Sequence, residues 1–227
     1  MMIIEGIVAA SECSLLIPLS FAIREYNHWK KNITFKLIAV FLFLTLVQLI
    51  CIAPHDYKLF TGQPTKNCIF FYNWQYVLTG FVKLGIFFTL LNFPYKKALL
   101  AFLTVILTGY VALEFKTDSL TYIYTGLFVT KVYLIVNLFV IALSLLYSYQ
   151  LLRDLSVENI TTYSFFWLNA GFLAYHVGSI SVYSFVGNGA TKQEAEIAWI
   201  VNAILLVFFY FTICLAYNYS KNLPQRS

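Results

Sequence analysis

Apolar residues run along this chain in seven long stretches with few interruptions, set apart by short polar breaks. The stretches lie at about residues 3–23, 34–53, 74–93, 98–115, 121–152, 162–186 and 197–219. An α-helix rises 1.5 Å per residue, so about 20 apolar residues cover the roughly 30 Å hydrocarbon layer of a bilayer. The runs are continuously apolar and lack the alternation of a lipid-exposed barrel strand. They predict an all-α fold: one polytopic domain, a bundle of seven transmembrane helices. The breaks carry their own punctuation. Pro54 is expected to end the second helix, and the loop that follows holds a Gly62-Gln63-Pro64 turn. Pro94 ends the third helix and Gly187-Asn188-Gly189 closes the sixth. The first helix begins almost at Met1, carries Glu5 and Glu12 and has no basic leader, which argues against a cleaved signal peptide.

Composition agrees with this pattern. Of 227 residues 60% are hydrophobic and 11% charged, and the mean hydropathy is +0.76. An average soluble domain carries about 25% charged residues. The 17 Tyr and 22 Phe suit ring anchoring at the headgroup level. The net charge of +5 is spread over short loops, which points to topology rather than to nucleic acid. With the N-terminus outside, the inner segments hold Arg24, Lys30, Lys31, Lys36, Lys96, Lys97, Arg153, Lys221 and Arg226. The outer segments hold Lys58, Lys66, Lys116 and Lys192. Nine against four is a positive-inside bias, so the C-terminus is expected in the cytoplasm. Cys51 and Cys68 flank one external loop, either as a disulfide or as two separate thiols.

Ionisable groups at bilayer depth are costly unless paired or watered, so each is a functional candidate. Glu12 lies near mid-depth on helix 1, Gln75, Thr79 and Lys83 form a stripe on helix 3, and Lys131 lies on helix 5 with Asn137 and Ser144 nearby. Asn169, His176 and Tyr183 follow one another at seven-residue steps on helix 6, while Gln48 and Asn202 come from helices 2 and 7. Glu12, Gln48, Lys83, Lys131, His176 and Asn202 all fall between the midplane and the outer surface, consistent with an outward-opening pocket. Two lysines against one glutamate would favour an anionic or carbonyl-bearing ligand. Each residue also has a plainer role. Gln48, Asn137, Asn169 and Asn202 suit interhelical hydrogen bonds, Lys131 can snorkel, His176 can be a satisfied core histidine, and Glu12 with Lys83 can be a structural ion pair.

No hydrolase, nucleotide-binding or metal motif occurs, and the last helix has no lysine for a retinal Schiff base, so no cofactor is expected. The last third of the chain carries a resemblance. Leu145-Leu146-Tyr147-Ser148-Tyr149-Gln150-Leu151-Leu152 ends the long fifth helix, Phe166-Trp167 and Ala170-Gly171-Phe172-Leu173-Ala174-Tyr175 open the sixth, with Gly178 beyond, and Ala198-Trp199-Ile200-Val201-Asn202-Ala203-Ile204-Leu205 opens the seventh. These residues resemble a family of small seven-helix membrane proteins of Bacteroidota. Members tend to carry a Pro-x-Glu-Tyr-like stretch near helix 3, where this chain has Asn73-Trp74-Gln75-Tyr76. The resemblance implies a multi-pass protein of the bacterial cytoplasmic membrane acting beside a sensor kinase. Together these features lead to the expectation of a sensor or receptor-like protein that binds a small ligand from outside. Its basic inner loops would meet membrane lipid or a signalling partner. The alternatives are a small proton-coupled transporter using Glu12 and His176, or a membrane-embedded lipid-modifying enzyme.

Overall fold

The computed structural model describes residues 2–60, 69–117, 128–153, 160–187 and 191–222. Among the described residues every regular element is helical: α1 (Met2–Cys13), α2 (Leu16–Arg24), α3 (Tyr26–Trp29), α4 (Ile33–Phe60), α5 (Ile69–Leu90), α6 (Lys96–Thr117), α7 (Phe128–Arg153), α8 (Ser164–Gly187) and α9 (Lys192–Asn218). Single 3-10 turns follow at Ile160–Thr162 and Tyr219–Asn222. Residues 121–127 and Cys68, and with them the expected start of the fifth helix and the Cys51–Cys68 pairing, lie outside the described residues.

Two prolines act differently from what the sequence suggests. The helix expected over residues 3–23 is divided at Ser14–Leu15 into α1 and α2. Pro18 lacks the N–H that the Ser14 carbonyl would accept four residues on. That carbonyl takes the Ile17 N–H at 3.1 Å instead, and the Leu15 N–H bonds back to the Glu12 carbonyl at 3.1 Å, both in tight i→i−3 geometry. Pro54, expected to stop the second helix, instead lies within α4, which continues to Phe60. A proline removes one i→i−4 bond, and the turns on either side carry the helix past it. α9 starts at Lys192, earlier than hydropathy suggests, because Thr191 caps it. The Thr191 hydroxyl accepts the Glu194 N–H, and the Glu194 carboxylate accepts the Thr191 N–H at 2.8 Å.

The helices close into a ring. α1 and α2 pack on α4 and α9, α4 on α5, α5 on α7, α7 on α8 and α8 on α9, while α6 packs against α5 and α7. Close approach of α8 to α9 uses glycine: Gly171 faces Thr212 and Phe209, and Gly178 faces Leu205.

Contacts at the chain reversals gather one end of the bundle. The Trp29 ring lies 5.6 Å from Tyr217, and Phe35 lies 5.6 Å from Phe165. The Thr34 and Thr89 hydroxyls are 2.8 Å apart, the Asn92 N–H donates to Gln150 Oε1 at 2.9 Å, and the Ser164 hydroxyl donates to the Tyr219 carbonyl at 3.2 Å. This end therefore holds Arg24, Lys30, Lys31, Lys36, Lys96, Lys97, Arg153 and Lys221, and is called the basic end below. Lys96 also caps α5, its Nζ donating to the Leu91 carbonyl at 2.8 Å.

Polarity is inverted relative to a soluble bundle. Phe43, Phe102, Val105, Leu138, Ile204 and Phe211 are each at least half exposed, whereas Lys83, Asn137, Ser144, Asn169, His176, Ser179 and Thr212 are buried. An apolar exterior this extensive is not tolerated in water. Five stretches are long and apolar enough to cross a membrane: Gly6–Arg24, Ile33–Cys51, Lys96–Leu113, Val132–Arg153 and Gln193–Lys221. Trp74–Leu90 is a shorter apolar helix. α8 falls outside that set because Ser164, Asn169, His176 and Ser179 run along it, and all four are buried.

Candidate functional site

The buried polar groups converge where α5 and α8 run antiparallel in register. The Tyr76 and Tyr183 hydroxyls stand 3.3 Å apart, and deeper in the bundle the Phe87 and Phe172 rings meet at 5.7 Å. Between these contacts, seven residues on from Tyr76 is Lys83, and seven residues back from Tyr183 is His176. Two helical turns carry both about 10 Å toward the basic end. Lys83 and His176 thus share one level, and each lies within electrostatic range of the other.

Lys83 is 5% exposed, and its Nζ sits 5.6 Å from the centroid of the Phe41 ring. No ion pair among the described residues joins it to a carboxylate. His176 is fully buried; a carbonyl can only accept, so its Nδ1 donates to the Phe172 carbonyl at 2.8 Å. The neutral ring then carries a lone pair at Nε2, and Nε2 has no hydrogen-bond partner among the described residues.

Aromatic and hydroxyl groups surround this level. The Tyr133 ring lies 4.8 Å from Tyr76 and 4.1 Å from Tyr183, and Trp199 lies 5.4 Å from Tyr183. The Tyr133 hydroxyl is buried near Ser179 and Asn137 yet within bonding geometry of neither. Asn137 donates instead to the Tyr133 carbonyl at 2.9 Å. Ser179 donates to Asn202 Oδ1 at 3.0 Å and so ties α8 to α9. Tyr175 stands edge-on to His176 at 5.2 Å and stacks on Phe209 at 5.3 Å. Toward the basic end, Phe41, Phe87, Phe172 and Phe209 close the level with ring contacts of 5.2 to 6.4 Å.

Of the sequence-predicted residues, the structure brings together Lys83 and His176, with Asn202 one layer nearer the far end. Glu12 is half-buried in the last turn of α1, within electrostatic range of Tyr175, Tyr183 and Tyr210, and the ion pairs among the described residues do not join it to Lys83. Gln48 is half-buried on α4, and no side-chain hydrogen bond to it occurs among the described residues. Lys131 belongs to α7, with its side chain outside the described residues. Asn169 is interhelical glue, donating to the Ser144 carbonyl at 3.2 Å and the Ser148 hydroxyl at 2.8 Å.

Sequence reasoning passed over Tyr76, Tyr133, Tyr175, Ser179 and Tyr210. The step of seven from Tyr76 to Lys83 was a usable signal, since it matches the step from His176 to Tyr183. Among the described residues no three His, Cys, Asp or Glu side chains gather as metal ligands. What the level offers is one cation, one imidazole acceptor and several hydroxyls within aromatic walls, a set suited to holding a small polar molecule. In comparisons with known proteins no family model, curated protein or solved structure matches the chain.

Proposed function

We propose that this chain is a seven-span receptor or sensor of the bacterial cytoplasmic membrane, N-terminus outside and C-terminus in the cytoplasm. It binds a small ligand from the outer side and passes the signal to a partner protein such as a sensor kinase. The observation that carries this is Lys83, a buried lysine with no carboxylate partner among the described residues, facing His176 inside the bundle. A charge at such depth costs several kcal/mol unless something compensates it. The basic end supports the orientation, because Lys and Arg mark the cytoplasmic side. Lipid and the signalling partner would meet that end through Lys30, Lys31, Lys96 and Lys97.

The layer of Phe41, Phe87, Phe172 and Phe209 between Lys83 and the basic end favours a dead-ended site over a transport path. A reporter fused after Ser227 is expected to work only in the cytoplasm. A thermal-shift screen of small metabolites on the purified chain is expected to give hits that disappear in Lys83→Met while that variant stays folded. Hits that persist in Lys83→Met would refute the site.

One observation favours a second reading, proton-coupled transport: the first helix is interrupted beside Glu12, and interrupted helices form substrate sites in many transporters. Solute uptake into proteoliposomes that follows an imposed pH gradient would decide for it.

A further inference from the structure

We propose that the Lys83–His176 level recognises a small 2-hydroxy carboxylate. This rests on the outward ligand site proposed above and names its chemistry. Lys83 offers N–H donors and a positive charge, and among the described residues no ion pair with a carboxylate meets them. His176 has committed its Nδ1 proton to the Phe172 carbonyl and presents a lone pair at Nε2. The two groups face the same level from α5 and α8, so one ligand can touch both if it brings an anionic acceptor and a neutral donor.

Other ligand classes fail one half of that requirement. A simple carboxylate satisfies Lys83 but leaves Nε2 facing no donor. A neutral alcohol or amide serves Nε2 but brings no counter-charge. An amine is repelled by Lys83, and a phosphate dianion brings two negative charges to a single lysine. A carboxylate with a hydroxyl on the next carbon meets both groups. The rings of Phe41, Phe172 and Tyr175 form an apolar wall for its carbon end.

The test uses the full chain in lipid nanodiscs, with thermal unfolding and titration calorimetry as readouts. The probes are lactate, 2-hydroxybutyrate and 2-hydroxyhexanoate, each beside the acid lacking the hydroxyl and beside the corresponding 2-hydroxy amide. At least one hydroxy acid is expected to bind about tenfold more tightly than its deoxy partner, the worth of one buried hydrogen bond, and its amide to give no response. Lys83→Met should abolish the response and Lys83→Arg retain it. His176→Phe should erase the preference for the hydroxyl while carboxylate binding remains. Equal affinity for a hydroxy acid and its deoxy partner on the native chain would overturn the assignment, as would silence across the whole panel. Lys83-dependent binding of a neutral metabolite would also overturn it, while leaving the ligand site itself standing.

Discussion

Gly171→Ala isolates the contact that lets α8 and α9 approach. A methyl group at this position would run into the Thr212 Oγ1 and crowd the Phe209 ring. Thr212 cannot easily give way. It is fully buried, and its hydroxyl donates to the Phe209 carbonyl at 2.7 Å. Forcing an extra carbon into such a site costs about 1–3 kcal/mol, and losing the Thr212 bond adds about 1 kcal/mol. The expected loss is therefore about 2–4 kcal/mol, large against the 5–15 kcal/mol of a typical fold. Gly178→Ala should cost less, because the atoms it meets are the far end of the Leu205 side chain, which can rotate. Gly109→Ala on α6 meets nothing within 4 Å and should be neutral or slightly stabilising. Unfolding in mixed micelles, followed by tryptophan fluorescence, ranks the three. Adding Thr212→Ala to Gly171→Ala should restore part of the loss by removing the Oγ1 that the methyl meets. If Gly171→Ala unfolds like Gly109→Ala, or Thr212→Ala brings no recovery, the proposed close packing of α8 on α9 is wrong.

Asn169→Leu removes two donated bonds between α8 and α7, and should destabilise by about 1–2 kcal/mol in the same assay, since interhelical bonds in membranes average about 0.6 kcal/mol each. Trp29→Phe keeps a ring among Tyr26, Phe35 and Tyr217 but loses the Nε1–H bond to the Ala22 carbonyl, 2.8 Å long; a loss of about 1 kcal/mol is expected on unfolding. Pro18→Ala returns an N–H to the Ser14 carbonyl and should join α1 to α2. Amide exchange around residues 14–19 is expected to slow by about tenfold, and unchanged exchange would show that Pro18 does not cause the interruption.

The helices were legible because lipid imposes a length on apolar runs, and polar breaks mark where each run ends. Hydrogen-bond topology is not recorded in hydropathy, so the interruption at Ser14–Leu15 stayed hidden inside an apolar stretch, and Pro54 was given more weight than a single missing donor carries. The site was legible in part for a similar reason. Asn169, His176 and Tyr183 step by seven along one face of α8, which two turns of a helix dictate. On α5 the stripe from Gln75 through Thr79 to Lys83 leaves out Tyr76, the residue that meets Tyr183. Tyrosine is what defeated the sequence there. Its ring and hydroxyl suit both a headgroup belt and a buried core, so composition alone does not separate Tyr76, Tyr133 and Tyr175 from the tyrosines of a membrane surface. Gln48 shows the converse, a polar residue within an apolar run that ends up half-buried and away from every hydrogen bond described.

Buried polar residues of the two kinds found here should respond to substitution with opposite signs. Asn169 has its amide donors satisfied, so replacing it removes favourable bonds. Lys83 has no ion-pair partner among the described residues, so replacing it with methionine, a side chain of similar length, removes a cost. A lysine at the centre of a membrane helix costs about 2.5–3.5 kcal/mol on insertion scales, and a cation over an aromatic face recovers about 0.5–2 kcal/mol of that. The Phe41 ring, 5.6 Å away, provides that recovery. Lys83→Met is thus expected to stabilise the ligand-free chain by about 1–2 kcal/mol while ending ligand binding. A polar residue that lowers stability and confers binding is there for the ligand. If Lys83→Met instead loses stability as Asn169→Leu does, Lys83 holds the bundle together and the proposed ligand site is wrong.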